Sequence, residues 1–198
     1  MADAKSPKPS RKSVFREYVE SLLIAVVLAL VVRTFFLQAF KIPTGSMRPT
    51  LMEGDRILVN KVVYGIKIPF IDKRLPVIRP PQRGDLVVFR SPDDHRRDFI
   101  KRLVAVEGDL VEIQNLHLWV NGRPLTDPPI FRQLVYYNRG GYGQSGKAVR
   151  VPPGHYFFLG DNSASSRDSR YWGFLPGDQI IGRAFLIYWP PRRIRALK

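Results

Sequence analysis

The chain has 198 residues, of which 44% are hydrophobic, so it is long and apolar enough for one or two folded domains rather than a disordered protein. It contains no cysteine, which excludes disulfide bonds, thiol chemistry and thiolate metal sites. Its formal net charge of +15 indicates an anionic partner, either nucleic acid or a phospholipid surface, unless the charge only keeps the protein solvated.

The N-terminal region decides between these partners. Residues 1–16 form a polar, basic tail, and residues 17–39 form an apolar stretch whose uninterrupted centre, 22–32, reads LLIAVVLALVV. That centre is shorter than the ~20 residues that span a bilayer, but flanking aromatic residues bring the stretch to length. A cleaved signal peptide would need small residues before its cut site, and 33–38 (RTFFLQ) supply no such site. A buried helix of a soluble core should show a polar face, and the centre has none.

We therefore predict a single transmembrane anchor helix at 17–39. The basic tail should remain cytoplasmic, which places everything from residue 40 onward on the extracytoplasmic side of the cell membrane. The bilayer then explains the positive charge better than nucleic acid does.

Beyond residue 40 the pattern is that of short strands separated by turns. Strands are predicted at 55–64, 85–90, 98–106, 111–113, 117–120, 155–159 and 180–189, and a proline-rich loop at 66–83. Residues 110–150 look like an insertion, since they combine short strands, a hairpin signal at Asn121-Gly122 and a glycine-rich loop. The prediction is a mostly β fold, with a β-barrel-like core formed by 40–109 and 151–198 and a smaller β module inserted at 110–150.

One serine lies in an unusual setting. Residues 42–51 read IPTGSMRPTL, so Ser46 follows a glycine and is bracketed by Pro43 and Pro49. Proline fixes φ and disfavours helix in the residue before it, which makes the segment stiff. Most Gly-Ser pairs are simple turns, but a hydroxyl on a short rigid segment is also how a nucleophile is presented.

A serine nucleophile needs a base, and histidine is the usual one. The chain has only His95, His117 and His155, and none has the setting of a triad; His155 near Asp161 is the best of them. No group of histidines or carboxylates has the spacing of a metal site, and no cofactor is predicted.

The other candidate base is Lys101, which interrupts the apolar run of the strand predicted at 98–106. Alternation places it on one face with Phe99 and Leu103. A lysine in such a place usually extends its ammonium group to solvent. If it is buried instead, its pKa falls toward the range in which it can act as a base.

Four stretches resemble the sequence boxes of bacterial type I signal peptidases, in the order of that family and behind an N-terminal apolar segment. They are 42–51 (IPTGSMRPTL), 83–89 (RGDLVVF), 99–109 (FIKRLVAVEGD) and 160–173 (GDNSASSRDSRYWG). Each is a moderate signal, but four in order are very specific. The resemblance implies a membrane-bound serine endopeptidase that removes N-terminal signal peptides from exported preproteins with a serine/lysine dyad, without metal or cofactor. It also implies a mostly β catalytic core with an inserted β module.

The resemblance also implies roles for individual residues. Ser46 would be the nucleophile and Lys101 the general base. The Ser46 backbone N–H and the Thr44 hydroxyl would form the oxyanion hole, and the Ser166 hydroxyl would orient the lysine.

Further positions concern the loop and the substrate. Asp168 and Arg170 match a pair that braces the loop, whereas Ser163 stands where many relatives have arginine, which puts a bracing contact from that position in doubt. The substrate would carry small residues, typically alanine, one and three places before the cut, and would bind as an added strand. The residues that match the two substrate pockets are Met47, Leu51, Phe99 and Ile100 for the first, and Phe40 and Ile42 for its neighbour.

Two other functions are compatible with parts of the sequence. A membrane-anchored, non-catalytic β module that binds anionic lipid or a partner protein would share the anchor and the charge, but it would not need Ser46, Lys101 and Ser166 together. A self-cleaving, repressor-type serine/lysine protease would be soluble and would carry a DNA-binding domain instead of this anchor.

Overall fold

The structure is a computed structural model that describes residues 14–65, 78–94 and 96–197. The tail at 1–13, most of the loop predicted at 66–83, and His95 lie outside the described residues. Helix α1 (Val14–Val31) begins the described chain and continues into a π-helical turn, Val32–Phe36. None of the residues of α1 is buried.

The transmembrane helix predicted at 17–39 is not found. Among the described residues, no helix is both long and apolar enough to cross a membrane. Helix α1 ends at Val31, and the end of the predicted span belongs to a β-strand that begins at Leu37. The physical reason is that the helix has 18 residues, about 27 Å at 1.5 Å each, and carries Arg16, Glu17 and Glu20 near its start.

In the described part of the chain, twelve strands follow α1, together with a short helix α2 (Ser169–Trp172). They are β1 (Leu37–Lys41), β2 (Arg56–Asn60), β3 (Leu86–Arg90), β4 (Asp98–Ala105), β5 (Leu110–Gln114), β6 (His117–Val120), β7 (Arg123–Pro124), β8 (Val149–Arg150), β9 (His155–Leu159), β10 (Leu175–Pro176), β11 (Ile180–Trp189) and β12 (Arg195–Ala196).

Eight of these strands form the main sheet. Its order is β1-β2-β11-β3-β4-β9-β10, with β12 paired to β11, and every pairing is antiparallel. The long strand β11 shifts register against both of its neighbours, and β4 shifts against β9. Such irregularities bend strands and increase twist, so the sheet curls around its core. The prediction of a mostly β fold is confirmed.

The segment 110–150 supplies a second sheet, in the order β7-β6-β5-β8. The hairpin signal at Asn121-Gly122 forms the turn between β6 and β7, with φ values of 53° and 73°. Apolar residues of this sheet, such as Val111 and Leu118, are buried in one cluster with Val104 and Phe157 of the main sheet. The inserted module therefore shares its core with the main sheet.

Candidate active site

The serine segment is anchored by its own apolar residues. Gly45–Met47 forms one turn of 3-10 helix, and Met47 and Leu51 are completely buried with Ile57 of the main sheet. These side chains hold the turn against the sheet directly after Ser46, which is itself half-buried. The nucleophile candidate therefore lies on backbone that core packing keeps in place.

Lys101 approaches this serine from strand β4. Its Nζ donates a hydrogen bond to Ser46 Oγ at 2.6 Å, and its side chain is almost fully buried, with 4% of the residue exposed. The usual expectation that a lysine in this setting extends to solvent is therefore wrong here. Burial lowers the pKa of Lys101 to about 8, although the negative charges of Asp168 and Asp161 act in the opposite direction. About a tenth of the lysine is then neutral at pH 7 and able to accept a proton, and this share rises with pH.

The next residue, Arg102, is also buried but is fully paired. Its Nε and Nη2 donate to the two oxygens of Asp161 at 2.8 and 2.6 Å, and its Nη1 donates to the Gly84 carbonyl at 2.7 Å. Thr50 donates a further hydrogen bond to Asp161. His155, the least unfavourable of the histidine candidates, has its Nδ1 2.8 Å from the carbonyl oxygen of Pro153, while the partners of Asp161 are Arg102 and Thr50.

The loop 160–168 lies directly against the serine turn. The backbone N–H of Asn162 donates to the Ser46 carbonyl, and its side-chain amide donates to the Gly45 carbonyl, both at 3.0 Å. Gly160 permits this contact, since a Cβ at that position would lie 2.6 Å from the Ser46 carbonyl oxygen. The loop thus holds the backbone of the nucleophile through two hydrogen bonds.

Asp168 and Arg170 form a fully buried ion pair at the end of this loop. Arg170 Nε and Nη2 each donate to a different oxygen of Asp168 at 2.8 Å, and the Gly160 N–H donates to the same carboxylate at 3.0 Å. The Ser166 hydroxyl is buried beside them, but it has no hydrogen-bond partner among the described residues. The hydrogen bond expected between Ser166 and Lys101 is therefore not present in this structure.

An open groove of about 730 Å³ runs past the two side chains. Ser46, Lys101 and Thr44 line it, and Ile42, Phe99 and Ile100 form its apolar wall. Of the other substrate-pocket residues that the sequence indicates, Phe40 is half-buried against the core, and Met47 and Leu51 are core residues with no exposed surface. These two side chains support the groove from beneath instead of facing it.

Comparison with known proteins identifies relatives along nearly the whole chain. The family model described as "Signal peptidase, peptidase S26" matches residues 15–189. Signal peptidase I of Pseudomonas fluorescens is 35% identical over 96% of this chain and 78% of its own length. Probable signal peptidase I-1 of Synechocystis is 38% identical over 95% of this chain and 89% of its own. A solved signal peptidase I from Enterococcus faecalis V583 is 30% identical and covers 53% of this chain and 97% of its own, with a TM-score of 0.42.

The chain belongs to the signal peptidase family. The predicted family and activity, a serine endopeptidase that removes signal peptides, are confirmed by this membership.

Sequence reasoning missed two groups that support the site of this signal peptidase. The first is the buried pair of Arg102 and Asp161, for which the only signal is a second basic residue directly after Lys101 in an apolar strand. The second is the contact made by Ser163: the sequence put a bracing role for this position in doubt, but its hydroxyl accepts hydrogen bonds from Arg170 Nη1 at 2.6 Å and from the Tyr137 N–H at 2.8 Å. No local pattern announces that contact, because Tyr137 belongs to the inserted module.

Proposed function

We propose that Ser46 and Lys101 form the catalytic dyad of this signal peptidase. The observation that carries the proposal is the 2.6 Å hydrogen bond between Lys101 Nζ and Ser46 Oγ, made by a lysine that is buried. Distance and burial together are what a general base needs, because the base must reach the hydroxyl proton and must be neutral when it does so.

The reaction proceeds in two halves. Ser46 Oγ attacks the carbonyl carbon of the scissile bond while its proton passes to Lys101 Nζ, and the lysine ammonium then gives that proton to the leaving amine. The signal peptide is left as an ester on Ser46. Water attacks this ester with Lys101 again as the base, and release of the acid restores the serine.

Charge that develops on the carbonyl oxygen needs donors in place. We assign this role to the Ser46 N–H and the Thr44 hydroxyl, since Thr44 directly precedes the serine turn and lines the same groove. The Ser166 hydroxyl is buried, and none of the residues that the structure describes is its hydrogen-bond partner; it is the group that would accept a hydrogen bond from Lys101 once the lysine carries the transferred proton.

The substrate binds as an additional strand. β4 pairs with β3 from Asp98 to Arg102 but with β9 only from Arg102 onward, so its first half, beside the groove, has one edge without a paired strand among the described residues. An extended preprotein segment can hydrogen-bond this edge, with alternate side chains directed into the apolar wall of Ile42, Phe99 and Ile100.

The exposed apolar surface of α1 supports a place at the membrane. Leu22, Leu23, Ile24 and Leu28 are each more than half exposed, and a soluble protein rarely leaves such a surface uncovered. We place α1 in contact with the bilayer through this apolar surface.

The test is cleavage of a preprotein with an Ala-X-Ala site, in detergent, by wild type and by Lys101→Ala and Ser46→Ala. Both variants should lose about 10³-fold in kcat while remaining folded. Lys147→Ala, which removes an exposed lysine of the inserted module, is the matched control and should cleave at the wild-type rate.

The pH profile of the wild type provides the second readout. Because only neutral Lys101 accepts the proton, kcat/KM should rise with pH and level off above a pKa of about 8. Near-normal cleavage by Lys101→Ala would exclude the dyad, and no cleavage by wild type would favour a non-catalytic β module that binds lipid or protein.

A further inference from the structure

Part of the inserted module contacts the loop that holds the nucleophile. Residues 136–142, which we term the brace segment, run irregularly between strands β7 and β8. Backbone N–H and C=O groups of an irregular segment need partners when they are covered by protein. In this protein several of these groups find partners in the loop 160–168 and in Arg170 just after it, which together we term the catalytic loop.

The contacts are made at three points. The Tyr137 N–H donates to Ser163 Oγ at 2.8 Å, while Arg170 Nη1 donates to the Tyr137 carbonyl at 2.9 Å. The Gly141 and Tyr142 N–H groups both donate to the Arg170 carbonyl, at 2.7 and 3.1 Å. At the surface, Arg139 Nη1 donates to the Ala164 carbonyl at 2.8 Å.

Ser163 and Arg170 connect these contacts to the buried centre of the loop. Arg170 Nη1 donates to Ser163 Oγ at 2.6 Å and Nη2 to the Ser163 carbonyl at 2.9 Å, while the same guanidinium holds Asp168. Asp168 in turn accepts from the Gly160 N–H, and Asn162 holds the carbonyls of Gly45 and Ser46. A chain of hydrogen bonds thus leads from the inserted module to the nucleophile's backbone.

We propose that the brace segment is a positioning element for the catalytic loop, with Ser163 and Gly140 as its critical residues. The inference rests on the proposed dyad, since it concerns the geometry of Ser46 and Lys101. It gives residues 110–150 a function in catalysis without contact between the module and the substrate. Ser163 supplies a single small hydroxyl that serves both Tyr137 and Arg170.

Glycine is required at position 140 because a side chain there would meet the catalytic loop, and Gly146 provides a comparison without that contact. Gly140 has φ of +77°, and a Cβ there would collide with the Arg170 carbonyl group. Gly146, in the same module, has nearly the same φ of +74°, but a Cβ there would meet nothing within 4 Å. Alanine at either position carries the same backbone strain, and only Gly140→Ala separates the brace segment from the loop.

The experiment compares Gly140→Ala with Gly146→Ala in the preprotein cleavage assay, with melting temperature measured for both. Gly140→Ala should lower kcat about tenfold with KM within about twofold, because displacement of a catalytic group by a fraction of an ångström slows chemistry more than binding. Its pH profile should also shift upward, since a loosened loop admits water to Lys101 and lets its pKa rise toward the ordinary lysine value. Gly146→Ala should match the wild type in kcat and in pH profile.

Ser163→Ala is the second variant and decides the matter should Gly140→Ala fail to fold. It should lower kcat about fivefold at an unchanged KM, and Ser145→Ala, which removes an exposed hydroxyl, is its control. The proposal is overturned if folded Gly140→Ala and Ser163→Ala both retain wild-type kcat and pH profile. Activity that survives in Lys101→Ala would refute the dyad instead, so the two failures are distinguishable.

Discussion

Strand β4 carries two buried cations side by side, and the protein treats them in opposite ways. Lys101 and Arg102 are 4% and 1% exposed and point to opposite faces of the strand. Arg102 is matched by both oxygens of Asp161 and by the Gly84 carbonyl. Among the described residues, Lys101 forms no ion pair, and its hydrogen-bond partner is the Ser46 hydroxyl.

The difference explains why Arg102 has a structural role whereas Lys101 can take part in proton transfer. A buried cation with a carboxylate partner remains charged, since the pairing offsets the loss of water. A buried cation whose close partner is a neutral hydroxyl is destabilised in its charged form, so its pKa falls. The pKa of Lys101 is lowered to about 8 in this way, which makes the lysine usable as a base.

The largest effect on stability should come from removing Arg102 from its ion pair with Asp161. Arg102→Met should lower the free energy of unfolding by about 3–5 kcal/mol, because it leaves the Asp161 carboxylate buried without its partner. Urea denaturation at pH 7 measures the change. The double variant Arg102→Met/Asp161→Leu should recover part of the loss, since no unpaired charge then remains. A loss below about 1 kcal/mol for the single variant would mean that water enters this site freely.

The same substitution at the neighbouring lysine should have the opposite sign. Lys101→Met should raise the free energy of unfolding at pH 7 by about 1–3 kcal/mol while abolishing cleavage, because the folded protein no longer buries an ammonium without a carboxylate. In the wild type the unfolded chain keeps the lysine proton up to the ordinary pKa of 10.5, whereas the folded protein releases it at about 8. Wild-type stability therefore rises between these two pH values.

It follows that the advantage of Lys101→Met is complete below pH 8 and shrinks as the pH rises toward 10.5. Denaturation of wild type and variant at pH 7 and pH 10 measures this change as a difference, so that other titrating groups cancel. Lys147→Met, at an exposed lysine, should show no pH-dependent difference. An equal effect of Lys101→Met at both pH values would show that the lysine pKa is not depressed.

Much of the fold is predictable because strands of half-buried sheets show alternating apolar and polar residues and are rich in β-branched residues. The residues at which strands begin and end are harder to predict. The strand predicted at 55–64 ends at Asn60, whose side-chain oxygen accepts from the N–H groups of Val62 and Val63 and turns the chain. The turn between β5 and β6 contains Leu116 with a positive φ of 67°, a left-handed backbone conformation that leucine rarely adopts and that the sequence does not predict.

The site shows the same division. The stiff segment around Ser46 and the lysine inside an apolar strand are local features, and the sequence alone indicates both. Whether that lysine is buried, and that Arg102 meets a carboxylate 59 residues away, depend on the pairing of β4 with β9 and on the loop that follows β9. Local sequence carries no record of such pairings, so a charged residue in an apolar run remains ambiguous until the topology is known.

The smallest effect on stability should come from Ser166, a buried neutral hydroxyl that belongs to neither of the two buried cations. Ser166 Oγ is buried and has no hydrogen-bond partner in the described part of the chain, so Ser166→Ala should change the free energy of unfolding by less than about 0.5 kcal/mol. Its kcat should nevertheless fall about tenfold, because the hydroxyl is the acceptor we assign to the ammonium that Lys101 becomes after the first proton transfer. Cleavage kinetics and urea denaturation of the same preparation measure both quantities. A markedly less stable variant would show that the Ser166 hydroxyl is already hydrogen-bonded in the resting protein. A variant with full kcat would show that Ser166 does not accept a hydrogen bond from the Lys101 ammonium during the reaction.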